Sequence, residues 1–222
     1  MNVTNIETNS SDYEIKAWYD TNEDTIFYYT EQKKIYLPDN IFGMFFNFSK
    51  LKSLDLSDFD SSYVTNLSHM FTQCYELEEV NLSSFDTSKV TDMEQMFRFS
   101  RKIKYLNLSN FNTEKVTNMN EMFDNMHNLI ELDISNFNTK NVKNMNRMFA
   151  KYMGTGDMLE KIYVNNDFDI SNLISANHPF DERKKLRGGK GSFLVNPRDA
   201  DKTWLRIDDP DNGRPGYFTR KS

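Results

Sequence analysis

The chain has 222 residues, with 27 Lys or Arg and 33 Asp or Glu side chains that give a net charge of −6 at pH 7. A nucleic-acid-binding protein normally presents a broad basic face, which this acidic balance of charges does not predict, so nucleic acid is excluded as a partner. The single cysteine, Cys74, excludes a disulfide within the chain. No apolar run reaches the ~18 residues of a membrane span, which predicts no membrane insertion.

The N-terminal part divides into two predicted segments. Residues 1–12 are polar and are predicted to be a flexible N-terminus, with none of the character of a signal sequence. Residues 13–50 are predicted to form an N-terminal cap. Within it, residues 26–29 and 34–37 are rich in aromatic and β-branched residues, which predicts a hairpin that ends at Pro38.

An internal repeat of about 26 residues follows over residues 51–164. In residues 77–102, Val80 and Leu82 alternate with polar residues, which predicts a short strand. Further on, apolar residues recur at the spacing of a helix face; these are Val90, Met93, Met96 and Phe97. The same pattern begins at Leu51, Ile103 and Leu129.

One such unit is too small to be stable alone. Burying its eight apolar side chains contributes roughly 12–24 kcal/mol in gross terms, while ordering the backbone costs about twice as much. Neighbouring units must therefore pair their strands and share a core. We predict an α/β leucine-rich-repeat solenoid, a right-handed superhelix with parallel strands on one face, short helices on the other and β-rich end caps. Residues 165–222 are predicted to form an irregular last repeat and a C-terminal cap.

The units over residues 51–71, 77–97, 103–123 and 129–149 resemble BspA-type leucine-rich-repeat surface proteins in their Leu-x-x-Leu-x-Leu-Ser-x-Phe start and their Val-Thr-x-Met-x-x-Met-Phe continuation. The similarity extends to the terminal segments of proteins of that family: residues 34–38 are similar to their start, and residues 186–192, 201–204 and 215–219 to their C-terminal segment. The resemblance implies a bacterial cell-surface or secreted protein, associated with adhesion to host or neighbouring-cell components.

No catalytic or metal-binding pattern is evident. The three histidines have no helical metal-ligand spacing, and Cys74 occupies a position filled by Ser100 and Met126 in other units, which indicates packing rather than catalysis. Carboxylates are spread out without a partnered base. We therefore expect no enzyme, no cofactor and no metal.

The exposed face of the strands is the main candidate site. Polar and aromatic residues between the buried leucines should form columns that vary from unit to unit, which suits an extracellular protein or glycan partner. The predicted partner-binding residues are Asp55, Glu79, Asn81, Tyr105, Asn107, Glu131, Asp133 and Tyr163.

Two alternatives stay open. A basic cluster over residues 183–190 is either a solvated turn or a contact for an anionic polymer; it contains Arg183, Lys184, Lys185, Arg187 and Lys190. The whole chain is also compatible with a purely structural role, as a spacer or assembly element with no specific ligand.

Overall fold

The computed structural model describes residues 34–152 and 156–221, together with the backbones of three N-terminal strands. These strands are β1 (Thr4–Asn5), β2 (Ile15–Asp20) and β3 (Thr25–Thr30), and they form an antiparallel sheet in the order β1-β2-β3. The later strands are β4 (Ile35–Tyr36), β5 (Ser53–Asp55), β6 (Phe59–Asp60), β7 (Glu79–Asn81), β8 (Glu131–Asp133), β9 (Lys161–Val164) and β10 (Phe218–Arg220).

The hairpin predicted between residues 26–29 and 34–37 is wrong in its pairing. Strand β3 pairs with β2, and β4 instead pairs in parallel with β6, with Ile35 opposite Phe59. Of the turn predicted at residues 30–33, Thr30 belongs to β3 and residues 31–33 lie outside the described residues. Most of the predicted flexible segment 1–12 also lies outside them, although Thr4–Asn5 pairs with β2. The predicted domain boundaries stay a prediction.

The predicted α/β solenoid is wrong. Over residues 34–152 and 156–221 there is no α-helix. Three 3₁₀-helices of three residues each are present, at Pro197–Asp199, Lys202–Trp204 and Pro210–Asn212. The strands are short and form separate sheets of two or three. Most described residues lie in turns and loops, and no right-handed superhelix with a helical face is present among them.

Turns replace the predicted helices because the backbone N–H groups alternate between two kinds of partner. The N–H of Met93 and Phe97 donate to carbonyls of the next repeat, whereas the N–H of Met96 donates back to Met93 at 3.3 Å. Gln95 and Phe99 have positive φ angles of 54° and 62°, which interrupt a helical backbone. A spacing of three residues suits these turns as well as it suits a helix, so the apolar pattern did not separate the two.

The repeat itself is present, because equivalent positions pair across neighbouring units. Six of these positions are joined by isolated parallel bridges at the start of each turn segment: Asn40, Asn66, Asp92, Asn118, Asn144 and Ser175. In five units the side-chain oxygen of the Asn or Asp also accepts the backbone N–H two residues later. The abundant asparagines therefore fix the turn that each unit presents to the next.

The core contains a column of stacked phenylalanines. Adjacent ring centroids are 5.4–6.0 Å apart along Phe45, Phe71, Phe97, Phe123, Phe149 and Phe180. At the C-terminal end, Tyr217 and Phe218 pack against Phe180 at tilted and edge-on angles. The change from parallel to inclined rings ends the column and positions the final strand, β10, beside β9.

Candidate functional site

A groove with a volume of about 700 Å³ opens on the side of the molecule that carries the strands. It lies between β7 and β8. Its lining residues are Glu79, Val80, Tyr105, Leu106, Asn107, Glu131, Asp133, Tyr163 and Lys221. The side chain of Tyr105 projects outward with 72% of its surface exposed, while Leu106 is buried beneath it. The site therefore has an apolar floor and polar, aromatic walls.

The groove exists because pairing between the strands is interrupted at one repeat. On one side β5 pairs with β7, and on the other β8 pairs with β9, each through three residue pairs. Residues 105–107 lie between β7 and β8 and form no strand. After the paired strands, the N–H of Leu56 donates to the carbonyl of Asn81, and the N–H of Ile134 donates to the carbonyl of Tyr163. Within the described chain, the equivalent N–H groups of Leu82 and Leu108 make no such bond to the next unit.

Carboxylates give the groove its charge. Glu79 and Glu131 are exposed, and the hydroxyl of Tyr163 donates to Glu131 at 3.2 Å. Burial alone would raise the pKa of Asp133, but hydrogen bonds from Lys221 and Ser135 outweigh it and leave that pKa below its usual range. Asp133 is therefore ionised at neutral pH.

Lys221 is a residue of the groove that the sequence did not reveal. Its ammonium group lies 2.5 Å from a carboxylate oxygen of Asp133 and 3.3 Å from the hydroxyl of Ser135. It reaches this place because β10 pairs with β9 and the N–H of Lys221 then donates to the carbonyl of Val164. No local pattern near residue 221 indicates that pairing, which joins segments distant in sequence.

Most of the predicted partner-binding residues meet at this groove. Six of the eight line it: Glu79, Tyr105, Asn107, Glu131, Asp133 and Tyr163. Asp55 lies on β5 and Asn81 at the end of β7, and neither lines the groove. Whether any of the eight binds a partner stays a prediction.

One of the predicted columns has a role within the fold. The side-chain oxygens of Asp55, Asn81, Asn107 and Asp133 each accept the backbone N–H of a serine two residues later, at 2.9–3.1 Å. These contacts hold the turn after each strand. The alternation of Asp and Asn at this position therefore follows from a shared need for an acceptor oxygen.

The basic cluster of residues 183–190 does not form a free cationic patch. Arg183 is fully buried, and its guanidinium donates to the carbonyls of Phe149 and Met126 and to the carboxylate of Asp157. Burial lowers the pKa of Arg183, while Asp157 opposes that effect. Arg183 is thus a structural residue that satisfies carbonyls at the end of the turn segments.

The other cations of the cluster are partly engaged. Lys190 contacts Asp209 and Asp211, each at 2.8 Å, and these contacts raise its pKa. Arg187 donates to the carbonyl of Lys184, and the Lys184 ammonium lies 3.0 Å from Glu182. The exposed positive charge is therefore smaller than the five residues predict.

Among the described residues, neither a metal-binding cluster nor a reactive thiol adds a second site. No group of three or more His, Cys, Asp or Glu suited to a metal ion occurs among the described residues. The Cys74 thiol is buried, donates to the carbonyl of Phe45, and has its pKa raised to about 12 by burial. Within the described part of the chain, no helix is long and apolar enough to cross a membrane.

Units of 26 residues joined in register define a repeat protein with one interrupted strand surface. Comparison with protein families gives a more specific assignment: the model described as "Mycoplasma protein of unknown function, DUF285" matches residues 39–162 and 98–195. These matches span more than half of the chain, which therefore belongs to this family. The family is related to BspA-like repeat surface proteins. Neither the curated proteins nor the solved structures that were compared gave a match.

Proposed function

We propose that this chain is a non-enzymatic recognition or adhesion module of a bacterial surface or secreted protein of the BspA-like type. It binds an extracellular protein or glycan through the groove between β7 and β8. The observation that carries this proposal is the convergence of Tyr105 and Tyr163 with three carboxylates at the place where strand pairing is interrupted. The relation of the family to surface repeat proteins supports the proposed location.

The composition of the groove suits recognition. Tyrosine presents a large amphipathic surface at a small cost in side-chain entropy, which makes it a frequent anchor of binding sites. Tyr105 is exposed and Tyr163 half-buried, and the latter is held by its bond to Glu131. The surrounding repeats are joined in register, so the groove sits on a preorganised support.

The test is a binding screen of the full chain against extracellular matrix proteins and surface polysaccharides, repeated with Tyr105→Ala and Tyr163→Ala. We expect a bound partner to be lost or weakened at least tenfold in the double variant, since anchors of this type contribute about 2 kcal/mol or more. Tyr63→Ala is the matched control, because Tyr63 is 60% exposed but lies away from the groove.

Unchanged binding in the double variant would contradict a site at the groove. If the chain binds nothing in the screen and instead self-associates through its ends, the structural role as a spacer or assembly element replaces the proposal.

A further inference from the structure

We infer that the groove takes an extended peptide segment that carries lysine or arginine side chains. This inference rests on the proposed function and specifies the chemistry of the partner. The groove is lined by three carboxylates and a single cation, Lys221, so two negative charges remain unmatched in it. A basic ligand is the complement of that charge.

Glu79 and Glu131 carry the unmatched charge. Among the described residues, neither has an ion pair within 4 Å. Lys161 pairs in register with Glu131 across β8 and β9, but it does not line the groove. The two glutamates stand on the two strands that border the interruption, with Tyr105 between them in sequence order. An incoming cation therefore meets carboxylates from both walls.

The chain itself shows how this surface holds an ammonium group. Lys221 arrives on an extended segment that continues β10, and its side chain enters the groove to contact Asp133 and Ser135. A basic residue on an extended strand is thus already accommodated at one end of the groove. Tyr105 and Tyr163 add aromatic rings against which the aliphatic stem or the charged head of a lysine or arginine can pack.

The groove also has the shape for an extended chain. Strand β7 and residues 105–107 share no backbone hydrogen bond, and neither do residues 105–107 and β8, within the described range 34–152. Unpaired strand edges are places where an extended peptide adds main-chain hydrogen bonds. A glycan would use the tyrosines equally well, but it would make no use of the excess negative charge.

The experiment measures binding of a fluorescein-labelled peptide of alternating lysine and serine to the full chain, beside a matched peptide of alternating glutamate and serine and a neutral oligosaccharide. We expect the lysine peptide to bind and the other two probes not to bind. Its affinity should fall as salt is raised from 50 to 300 mM, because exposed charge pairs are screened.

Four variants assign the effect to the groove. The double variant Glu79→Gln/Glu131→Gln should weaken the affinity for the lysine peptide about tenfold. The control Glu114→Gln, at an exposed residue outside the groove, should change that affinity less than twofold. Lys221→Ala should tighten binding several-fold, because it frees Asp133. Lys115→Ala is its control, since Lys115 is exposed and lies outside the groove.

Three results would overturn the inference. Equal weakening by Glu114→Gln and by the groove variants would show general attraction to an acidic protein. Binding of the oligosaccharide through Tyr105 and Tyr163, with the lysine peptide inactive, would also overturn it, yet the proposed function would stand. Failure of every probe in this assay and in the wider screen would remove both.

Discussion

The two long sides of the repeat region differ in how completely neighbouring units are joined. One side, called the turn side, carries the bridged positions from Asn40 to Ser175, and these bridges connect six successive units without a break. On the strand side, pairing occurs between β5 and β7 and again among β8, β9 and β10, but it stops at residues 105–107. The same repeat thus gives one continuous side and one interrupted side.

The continuity of the turn side has a chemical cause. Buried hydroxyls at equivalent positions both donate to and accept from the backbone of the next unit, as Thr87 does with Asn112 and Thr113 does with Asn138. Combined with the stacked phenylalanines, these bonds fix the register between units. The strand side is then free to lose pairing at one unit, and the groove occupies that place.

The largest expected effect comes from breaking the phenylalanine column. Phe97 is fully buried, with ring centroids 5.5 Å from Phe71 and 6.0 Å from Phe123. Phe97→Ala should lower the free energy of unfolding by about 3–5 kcal/mol, through lost burial and the cavity left behind. Tyr105→Ala, in the same span of repeats but exposed, should change it by less than about 0.5 kcal/mol.

Urea unfolding followed by circular dichroism measures both changes. Comparable losses in the two variants would contradict this expectation, because the exposed strand side would then contribute as much to stability as the buried phenylalanine column.

A smaller effect is expected from removing one buried hydroxyl. Thr113→Val keeps the shape of the side chain but loses the bonds to the N–H and carbonyl of Asn138, at 2.8 and 2.9 Å. The free energy of unfolding should fall by about 1–3 kcal/mol. Thr113→Ser keeps the hydroxyl, as Ser61 does in bonding the equivalent Asp86, and should lose no more than about 0.8 kcal/mol for the missing methyl group.

The urea midpoint at a constant m-value reports this difference. If the serine and valine variants are equally destabilised, the hydrogen bonds of the Thr113 hydroxyl contribute nothing to stability beyond packing.

The sequence revealed the 26-residue period and, for most residues on the strand side, which residues of neighbouring units lie beside them. Alternation around Val80 and Leu82 correctly located β7, and the 26-residue spacing located equivalent residues that meet in space. It could not distinguish a helix from successive turns, because Met93 and Met96 lie on one side of either structure. The deciding facts were the positive φ angles at Gln95 and Phe99 and hydrogen bonds to the next unit, which a single unit does not display.

Contributions from distant segments were equally hidden. Arg183 belongs by sequence to a basic cluster, yet it is buried by carbonyls from earlier units, including Phe149 and Met126. Lys221 enters the groove because the last strand returns beside β9. The groove itself arises from the missing pairing at residues 105–107, although Tyr105 and Leu106 are both compatible with a strand.

The smallest expected effect is on the stability of the fold in acid, and it separates the contribution of the charge on Asp86 from that of its acceptor oxygen. Hydrogen bonds from the hydroxyl and the N–H of Ser88 hold the pKa of Asp86 below its ordinary value of 3.8. The ionised form therefore stabilises the fold above that ordinary value, and the contribution is lost as the pH falls through the lower pKa of the folded state. Asp86→Asn should reduce the loss of stability between pH 5 and pH 2.

The chain supplies its own control for this substitution. Asn112 and Asn138 occupy the equivalent position in later units and accept the same N–H at 2.9 and 3.0 Å. Asp86→Asn keeps the acceptor oxygen but not the charge, so it should lower the urea midpoint at pH 7 only by the small contribution that the wild type loses in acid, and it should flatten the dependence of the midpoint on pH in acid. Glu114→Gln removes one exposed carboxylate elsewhere and should not flatten it. A large loss at pH 7 in Asp86→Asn would show that the charge of Asp86, and not its acceptor oxygen, maintains the turn.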